Sequence, residues 1–322
     1  MICGVDAPSS ASPRPRHDCT FLGRRWRALP GWIAALALGL LIAAPAVGRA
    51  GEVRSGLTIP SPTLGRDIRY ALYLPAGYVT SHERYPVLFL LHGHGGGELD
   101  WVHGGGLAAT LDRLITAGAV PPMLVVMPGL GNGWDVDNLD PGGSGRTETA
   151  FLADIVPAID RQWRTRGERS ARAVAGLSMG GFGALRFAML RPDLFAAAAS
   201  LSGALLTNER AADRDWAPWL AEAFGAPVDL ARYRRASPFG LVDALAAAEH
   251  QPALYLACGD DDELGLEEGN LEFYLALRRV GVRAELRITD GGHDWGLWSR
   301  QLEPMLRFVG GELAGVATAA PP

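Results

Sequence analysis

The sequence predicts an α/β fold with a mostly parallel central sheet of about eight strands, covered by helices on both faces. Three observations lead there. Short apolar runs recur along the chain, segments of helical period separate the later ones, and chemically reactive residue types gather just after four of the runs. In helix-covered parallel sheets the chemistry sits at the carboxyl ends of strands, so the third observation supports the first two.

The first two runs, Val53–Ile59 and Asp67–Leu74, have no helical segment between them and read as an antiparallel lead-in. From Val87–Leu91 onward strand and helix alternate. The helical stretch Leu107–Ala117 leads to the strand Met123–Met127, and Thr149–Trp163 leads to Ala171–Ala175. Phe182–Leu190 then connects to Ala196–Leu201, and Leu241–Ala247 to Ala253–Cys258. Leu271–Val280 precedes the last strand, Ala284–Ile288, and Leu297–Phe308 follows it. No repeat or low-complexity linker interrupts the series, which predicts one domain over residues 51–322. The composition agrees, since 48% hydrophobic residues in a chain of 322 can bury a large core.

Residues 1–50 read differently. Arg24, Arg25 and Arg27 precede an apolar run from Trp32 to Val47 that ends in the small residues Gly48-Arg49-Ala50. That is the layout of a secretory signal peptide, with cleavage expected after Ala50 or else near Gly48. The run is short for a membrane span, so a membrane is met only if this segment stays uncleaved. Arg24-Arg25 keeps a twin-arginine route open beside the general one. Cys3 and Cys19 fall in the leader, which leaves Cys258 alone in the mature chain and allows no intrachain disulfide. Cys258 ends an apolar run and reads as a buried structural thiol.

All 30 basic residues are arginine, the formal charge is −5 and the pI near 5.8, a balance that argues against a nucleic-acid partner. Nothing in the sequence sets the oligomeric state.

Gly176-Leu177-Ser178-Met179-Gly180 is a G-x-S-x-G pattern between a strand and a helix, the context of a nucleophile elbow. Ser178 is therefore the candidate nucleophile. Met179, opening the helix, offers a backbone N–H to a developing oxyanion. A serine hydroxyl needs a base, and His293 in Gly291-Gly292-His293-Asp294-Trp295 follows the last strand where a glycine loop can bring its ring in. His250 precedes a strand and so lies at the wrong edge. The carboxylate that should orient the base comes from the loop after Cys258, where Asp260, Asp261, Asp262 and Glu263 crowd together and spacing does not choose among them. The glycine turn His92-Gly93-His94-Gly95-Gly96-Gly97 should supply a second oxyanion donor. His92 and His94 also form an H-x-H pair, but no aspartate and histidine follow at a metal-binding spacing, so no metal is expected. A phosphate loop is excluded by the missing lysine.

These stretches resemble the esterase D-like family of α/β-hydrolases, which includes feruloyl and acetyl xylan esterases, S-formylglutathione hydrolases and the mycolyltransferases of the antigen 85 group. The resemblance runs from about Ile68 to Phe308 and is most specific from Gly176 to Leu185, then in Arg191-Pro192-Asp193-Leu194-Phe195 and Leu201-Ser202-Gly203. Leu90-Leu91-His92-Gly93 with Asp100-Trp101, Thr147-Glu148-Thr149, and His293-Asp294-Trp295 with Trp298 also look like the family.

The resemblance implies the α/β-hydrolase fold and an acid in a Cys-Gly-x-x-Asp segment, hence Asp262, with Asp261 one alignment step away. It also implies His94 as the second oxyanion donor. No cofactor is expected, because the histidine protonates the leaving alkoxide and backbone dipoles hold the oxyanion charge. An exported chain does not suit a cytosolic thioesterase of the S-formylglutathione kind, and an aspartate acid does not suit the mycolyltransferases. The expected activity is thus an exported serine carboxylesterase acting on small or carbohydrate-linked esters. An acyltransferase and a non-catalytic binding module are the alternatives. Trp134, Trp216, Trp219, Trp295 and Trp298 are candidates to line an acyl pocket or to pack in the core. The segment Thr207–Arg235 reads as a small cap or a surface excursion.

Overall fold

The computed structural model describes residues 50–314 apart from 139, 141 and 142, so the leader and its two cysteines lie outside the described residues. The strands in chain order are β1 (Glu52–Ser61), β2 (Arg66–Leu74), β3 (Val87–Leu91), β4 (Leu124–Pro128), the short pair β5 (Asp137–Asn138) and β6 (Gly145–Arg146), β7 (Arg172–Leu177), β8 (Ala197–Leu201), β9 (Ala253–Gly259) and β10 (Ala284–Thr289). Eight of them form the central sheet in the order β1-β2-β4-β3-β7-β8-β9-β10. β1 with β2 and β2 with β4 are antiparallel, and every later pairing is parallel. The expected lead-in and mostly parallel sheet are both present.

The helices are α1 (Asp100–His103), α2 (Leu107–Thr116), α3 (Thr147–Thr149), α4 (Val156–Gln162), α5 (Met179–Leu190), α6 (Asn208–Ala211), α7 (Ala217–Phe224), α8 (Leu230–Ala236), α9 (Val242–Ala246), α10 (Leu266–Arg279) and α11 (Trp295–Leu313). A π-type turn at Ala150–Ile155 joins α3 to α4. The sequence reading found the long amphipathic helices and missed α1, α6, α7, α8 and the β5–β6 ribbon. Those are four- to eight-residue helices and two-residue strands, too short for a period to register.

Central strands are buried on both faces, so they read as apolar runs without alternation. Successive residues nonetheless point to opposite sides. Val87, Phe89 and Leu91 of β3 join one core with Phe151, Phe182 and Phe187, while Leu88 and Leu90 join the other with Leu111, Leu302 and Leu306. Helices α2 and α11 cover the second face, and α5 and α10 the first. No helix among the described residues is long and apolar enough to cross a membrane.

Candidate active site

Ser178 stands alone between β7 and α5 with φ 52° and ψ −119°, a left-handed φ that only a sharp strand-to-helix turn requires. Two glycines make the turn possible. A Cβ on Gly176 would collide with the Gly180 backbone, and one on Gly180 with the carbonyl of His92. The turn is pinned from the neighbouring strand, since Ser178 N–H donates to Leu201 O (2.9 Å) and Ala204 N–H donates to Ser178 O (3.0 Å).

His293 Nε2 lies 3.0 Å from Ser178 Oγ, and His293 Nδ1 lies 2.8 Å from Asp262 Oδ2. A carboxylate can only accept, so the ring carries its proton on Nδ1 and presents Nε2 to the hydroxyl. The structure thus brings Ser178, His293 and Asp262 into one row. Asp262 is fully buried at its side chain, and its Oδ1 accepts from Leu264 N–H (3.0 Å). Its neighbours on the same loop do other work. Asp260 Oδ1 accepts from Gly291 N–H (3.2 Å), and Glu263 Oε2 accepts from His293 N–H (2.8 Å), so both fasten the histidine loop by its backbone. Asp261 is exposed, and its N–H donates to Gly291 O (3.1 Å).

The glycine turn after β3 is held in place from three sides. His92 Nε2 accepts from Leu130 N–H (3.2 Å), which leaves the proton on Nδ1 to donate to Gly93 O (2.7 Å). Burial holds the His92 pKa below its ordinary value, which keeps that neutral tautomer. Both ring nitrogens are therefore engaged within the protein, and His92 is a strut of the loop. Asn132 Oδ1 accepts from Gly95 N–H (2.7 Å) and Asp100 Oδ2 from Gly97 N–H (3.1 Å). The sequence reading gave these two residues no such role, because a loop-bracing contact has no spacing signature. The N–H of Met179, first in α5, has no carbonyl one turn below it to bond, and the His94 N–H makes no hydrogen bond among the described residues. The His94 ring packs edge-on against Trp219 (5.1 Å between centroids), and desolvation lowers its pKa.

Beside Ser178 opens a cavity of about 280 Å³ walled by Trp134, Trp216, Trp219, Trp295 and Trp298, with Ser178, His293, His94 and Met179 on its floor. All five candidate tryptophans reach it. Trp216 and Trp219 come from the segment of α6, α7 and α8. That segment is tied to the sheet side by Trp134 Nε1–H donating to Trp219 O (2.7 Å) and Asn138 Nδ2–H donating to Glu222 O (2.6 Å). Trp295 and Trp298 begin α11, edge to face with each other (5.2 Å, 90°).

Trp134 and Asp135 are two consecutive residues at left-handed φ, 55° and 54°. Asp135 is buried, and its Oδ2 has no hydrogen-bond partner among the described residues. Burial raises its pKa from 3.8 to about 7, against the opposing charge of Arg186. The unfolded chain then loses this proton near pH 4 while the folded chain keeps it until about pH 7, so stability declines across that interval and levels off above it. Asp135→Asn is expected to stabilise the fold by a few kcal/mol at pH 8 and by little at pH 4.5. Urea unfolding of both proteins at the two pH values measures this, and an equal effect at both would show that Asp135 is ionised in the fold.

A family model described as Putative esterase matches residues 61–309. An endo-1,4-beta-xylanase/feruloyl esterase of Xylanibacter ruminicola is 28% identical over 259 residues, 79% of this chain and 31% of that protein. Esterase Rv1288 of Mycobacterium tuberculosis is 34% identical over 244 residues, 68% of this chain and 51% of its own length. The chain thus spans between about a third and a half of these two relatives. The structure of a ferulic acid esterase superposes with a TM-score of 0.68 at 31% identity, covering 82% of this chain and 99% of that one. With the family match extending over well more than half of its length, this chain belongs to that esterase family, serine carboxylic ester hydrolases of the α/β-hydrolase fold.

Proposed function

We propose that the protein is an exported serine carboxylesterase that hydrolyses feruloyl or acetyl esters of carbohydrates through an acyl-enzyme. The single observation that carries the chemistry is the row Ser178 Oγ, His293 Nε2 and Nδ1, and Asp262 Oδ2 at 3.0 and 2.8 Å. In this reading Ser178 Oγ attacks the ester carbonyl carbon as its proton passes to His293 Nε2. The tetrahedral oxyanion is held by the Met179 and His94 N–H groups. Collapse breaks the bond to the alcohol oxygen, which takes the proton back from His293, and Asp262 steadies the imidazolium in between. Water repeats the sequence on the acyl-enzyme and releases the acid.

The cavity supports the acyl preference. At about 280 Å³ it sits near the lower end of small-ligand pockets, which span roughly 300–1,000 Å³, so it suits an acetyl or one single-ring acyl group with the sugar left outside. Five indoles around it suit an aromatic ring. The segment 207–235 serves as the cap, residues 1–50 as the export signal, and residues 51–322 as the catalytic domain. The names of the feruloyl esterase relative and of the ferulic acid esterase structure support the same choice.

Assays of residues 51–322 on p-nitrophenyl acetate, p-nitrophenyl butyrate, methyl ferulate, a feruloylated arabinose ester and an acetylated xylose ester test the substrate class. Good turnover of p-nitrophenyl esters with none of the feruloylated or acetylated sugars overturns it. Trp219, which is 44% exposed on the cap side, tests the pocket. Trp219→Ala is expected to lower kcat/KM for methyl ferulate by about tenfold and for p-nitrophenyl acetate by less than about threefold, as one aromatic contact is worth roughly 0.5–1.5 kcal/mol. Equal losses on both substrates would remove Trp219 from the acyl wall.

A further inference from the structure

Behind the Ser178, His293 and Asp262 row lies a second chain of contacts that the proposed chemistry does not use, and it converges on Ser202. This residue follows β8, is fully buried, and holds φ 43°, one of only four left-handed non-glycine residues among those described. Its N–H donates to Ala257 O (2.6 Å), which clamps the ends of β8 and β9 together. Its Oγ accepts from Trp298 Nε1–H (3.1 Å). The Trp298 indole in turn meets the His293 ring edge to face, with centroids 5.0 Å apart at 87°.

The Cys258 S–H donates to Asp262 Oδ2 (3.7 Å), the oxygen that also receives His293 Nδ1–H. Burial and the Asp262 charge push the thiol pKa up, so Cys258 stays neutral and keeps that proton. Ser202 is thereby linked to the base through its hydroxyl and Trp298, while its N–H holds the strand end that carries Cys258 against the acid. Glycine would suit φ 43° without strain, yet a serine stands there, and strain retained beside a reactive centre asks what the side chain contributes.

We propose that Ser202 is a positioning residue, whose hydroxyl fixes Trp298 and through it holds the His293 ring in register with Ser178. The inference rests on the serine-esterase reading above and adds to it the part that sets the geometry. Small displacements of a base from its nucleophile are costly, so loss of this anchor acts on the chemical step and leaves ester binding as it was.

The test uses Ser202→Gly, Trp298→Phe and the double variant, with kcat, KM and Tm measured on p-nitrophenyl acetate. Ser202→Gly relieves the backbone and removes the CH2OH group, and Trp298→Phe keeps an aromatic ring but removes the N–H together with part of the indole. Each is expected to lower kcat roughly tenfold to a hundredfold, Ser202→Gly at nearly constant KM and Trp298→Phe with a change in KM as well, since its ring also walls the cavity. The double variant is expected to lose no more than the worse single, because both cut the same bond. Fluorophosphonate labelling of Ser178 should slow in parallel. If Ser202→Gly folds poorly, Ser202→Ala decides, since it keeps Cβ and removes only the hydroxyl. Ser202→Gly at wild-type kcat, or losses that multiply in the double variant, overturns the inference while the esterase reading stands. A folded wild type that neither hydrolyses esters nor takes the label overturns that reading and the inference together.

Discussion

Ser178→Ala is expected to lower kcat/KM for p-nitrophenyl acetate by about 10⁴-fold or more, with the residual rate coming from the oxyanion donors and binding alone. The size follows from what the hydroxyl does in the proposed sequence. Without it no covalent intermediate forms, and His293 is left to act on a water that nothing positions. The fold should scarcely notice. Among the described residues Ser178 Oγ hydrogen-bonds only to His293, and the pins of the turn are backbone bonds to Leu201 and from Ala204 that alanine retains. Alanine also tolerates φ 52° no worse than serine. Equal Tm with lost activity, measured by thermal unfolding and initial rates on the same preparation, is the outcome that separates chemistry from folding.

The second large effect distinguishes two adjacent carboxylates. Asp262→Asn is expected to lower kcat by about 10³- to 10⁴-fold, whereas Asp261→Asn should change it less than about threefold. Asp262 accepts His293 Nδ1–H at 2.8 Å from a fully buried position. An asparagine there can turn its amide N–H toward the ring, which moves the ring proton to Nε2, where it can no longer accept from Ser178. The loss should appear in kcat with KM little changed, since the carboxylate touches the base and not the ester. Asp261 faces solvent and meets the histidine loop only through its own N–H, which the substitution keeps. Comparable losses in the two variants would reverse the assignment of the acid.

How the sequence led to these residues differs from one to the next. Ser178 was legible because the elbow is a local device: a strand, a small-x-Ser-x-small turn and a helix all lie within about twenty residues, and every link has a sequence signature. His293 was legible from order and from the glycines before it. Among Asp260, Asp261, Asp262 and Glu263 the residues themselves were silent, because consecutive loop positions differ only in which way the backbone turns each side chain. Resemblance singled out Asp262, and the structure shows the physical difference: Asp262 points inward to Nδ1 while Asp260 and Glu263 take backbone N–H groups of the histidine loop. The central sheet was legible because doubly buried strands are apolar throughout. The short helices α6, α7 and α8 were not, since a one- or two-turn helix is fixed by tertiary contacts such as Trp134 to Trp219 that no local pattern encodes.

Ser202 shows the opposite limit. It lies inside Leu201-Ser202-Gly203, a stretch that marks the family resemblance, yet nothing in the sequence says that its φ is positive or that Trp298, 96 positions later, donates to its hydroxyl. Long-range polar contacts of this kind are read only from coordinates. Asp135 is similar, since an aspartate after a tryptophan looks like a loop residue until burial beneath α5 gives it a pKa of about 7.

The intact mass of residues 51–322 after treatment with a fluorophosphonate tests the central claim most directly, because only a serine whose proton a base can take reacts with it at a useful rate. One adduct per chain, located on the peptide that carries Ser178 and absent from Ser178→Ala, is the predicted result. A folded wild type that stays unmodified, or an adduct that persists in Ser178→Ala, would contradict it.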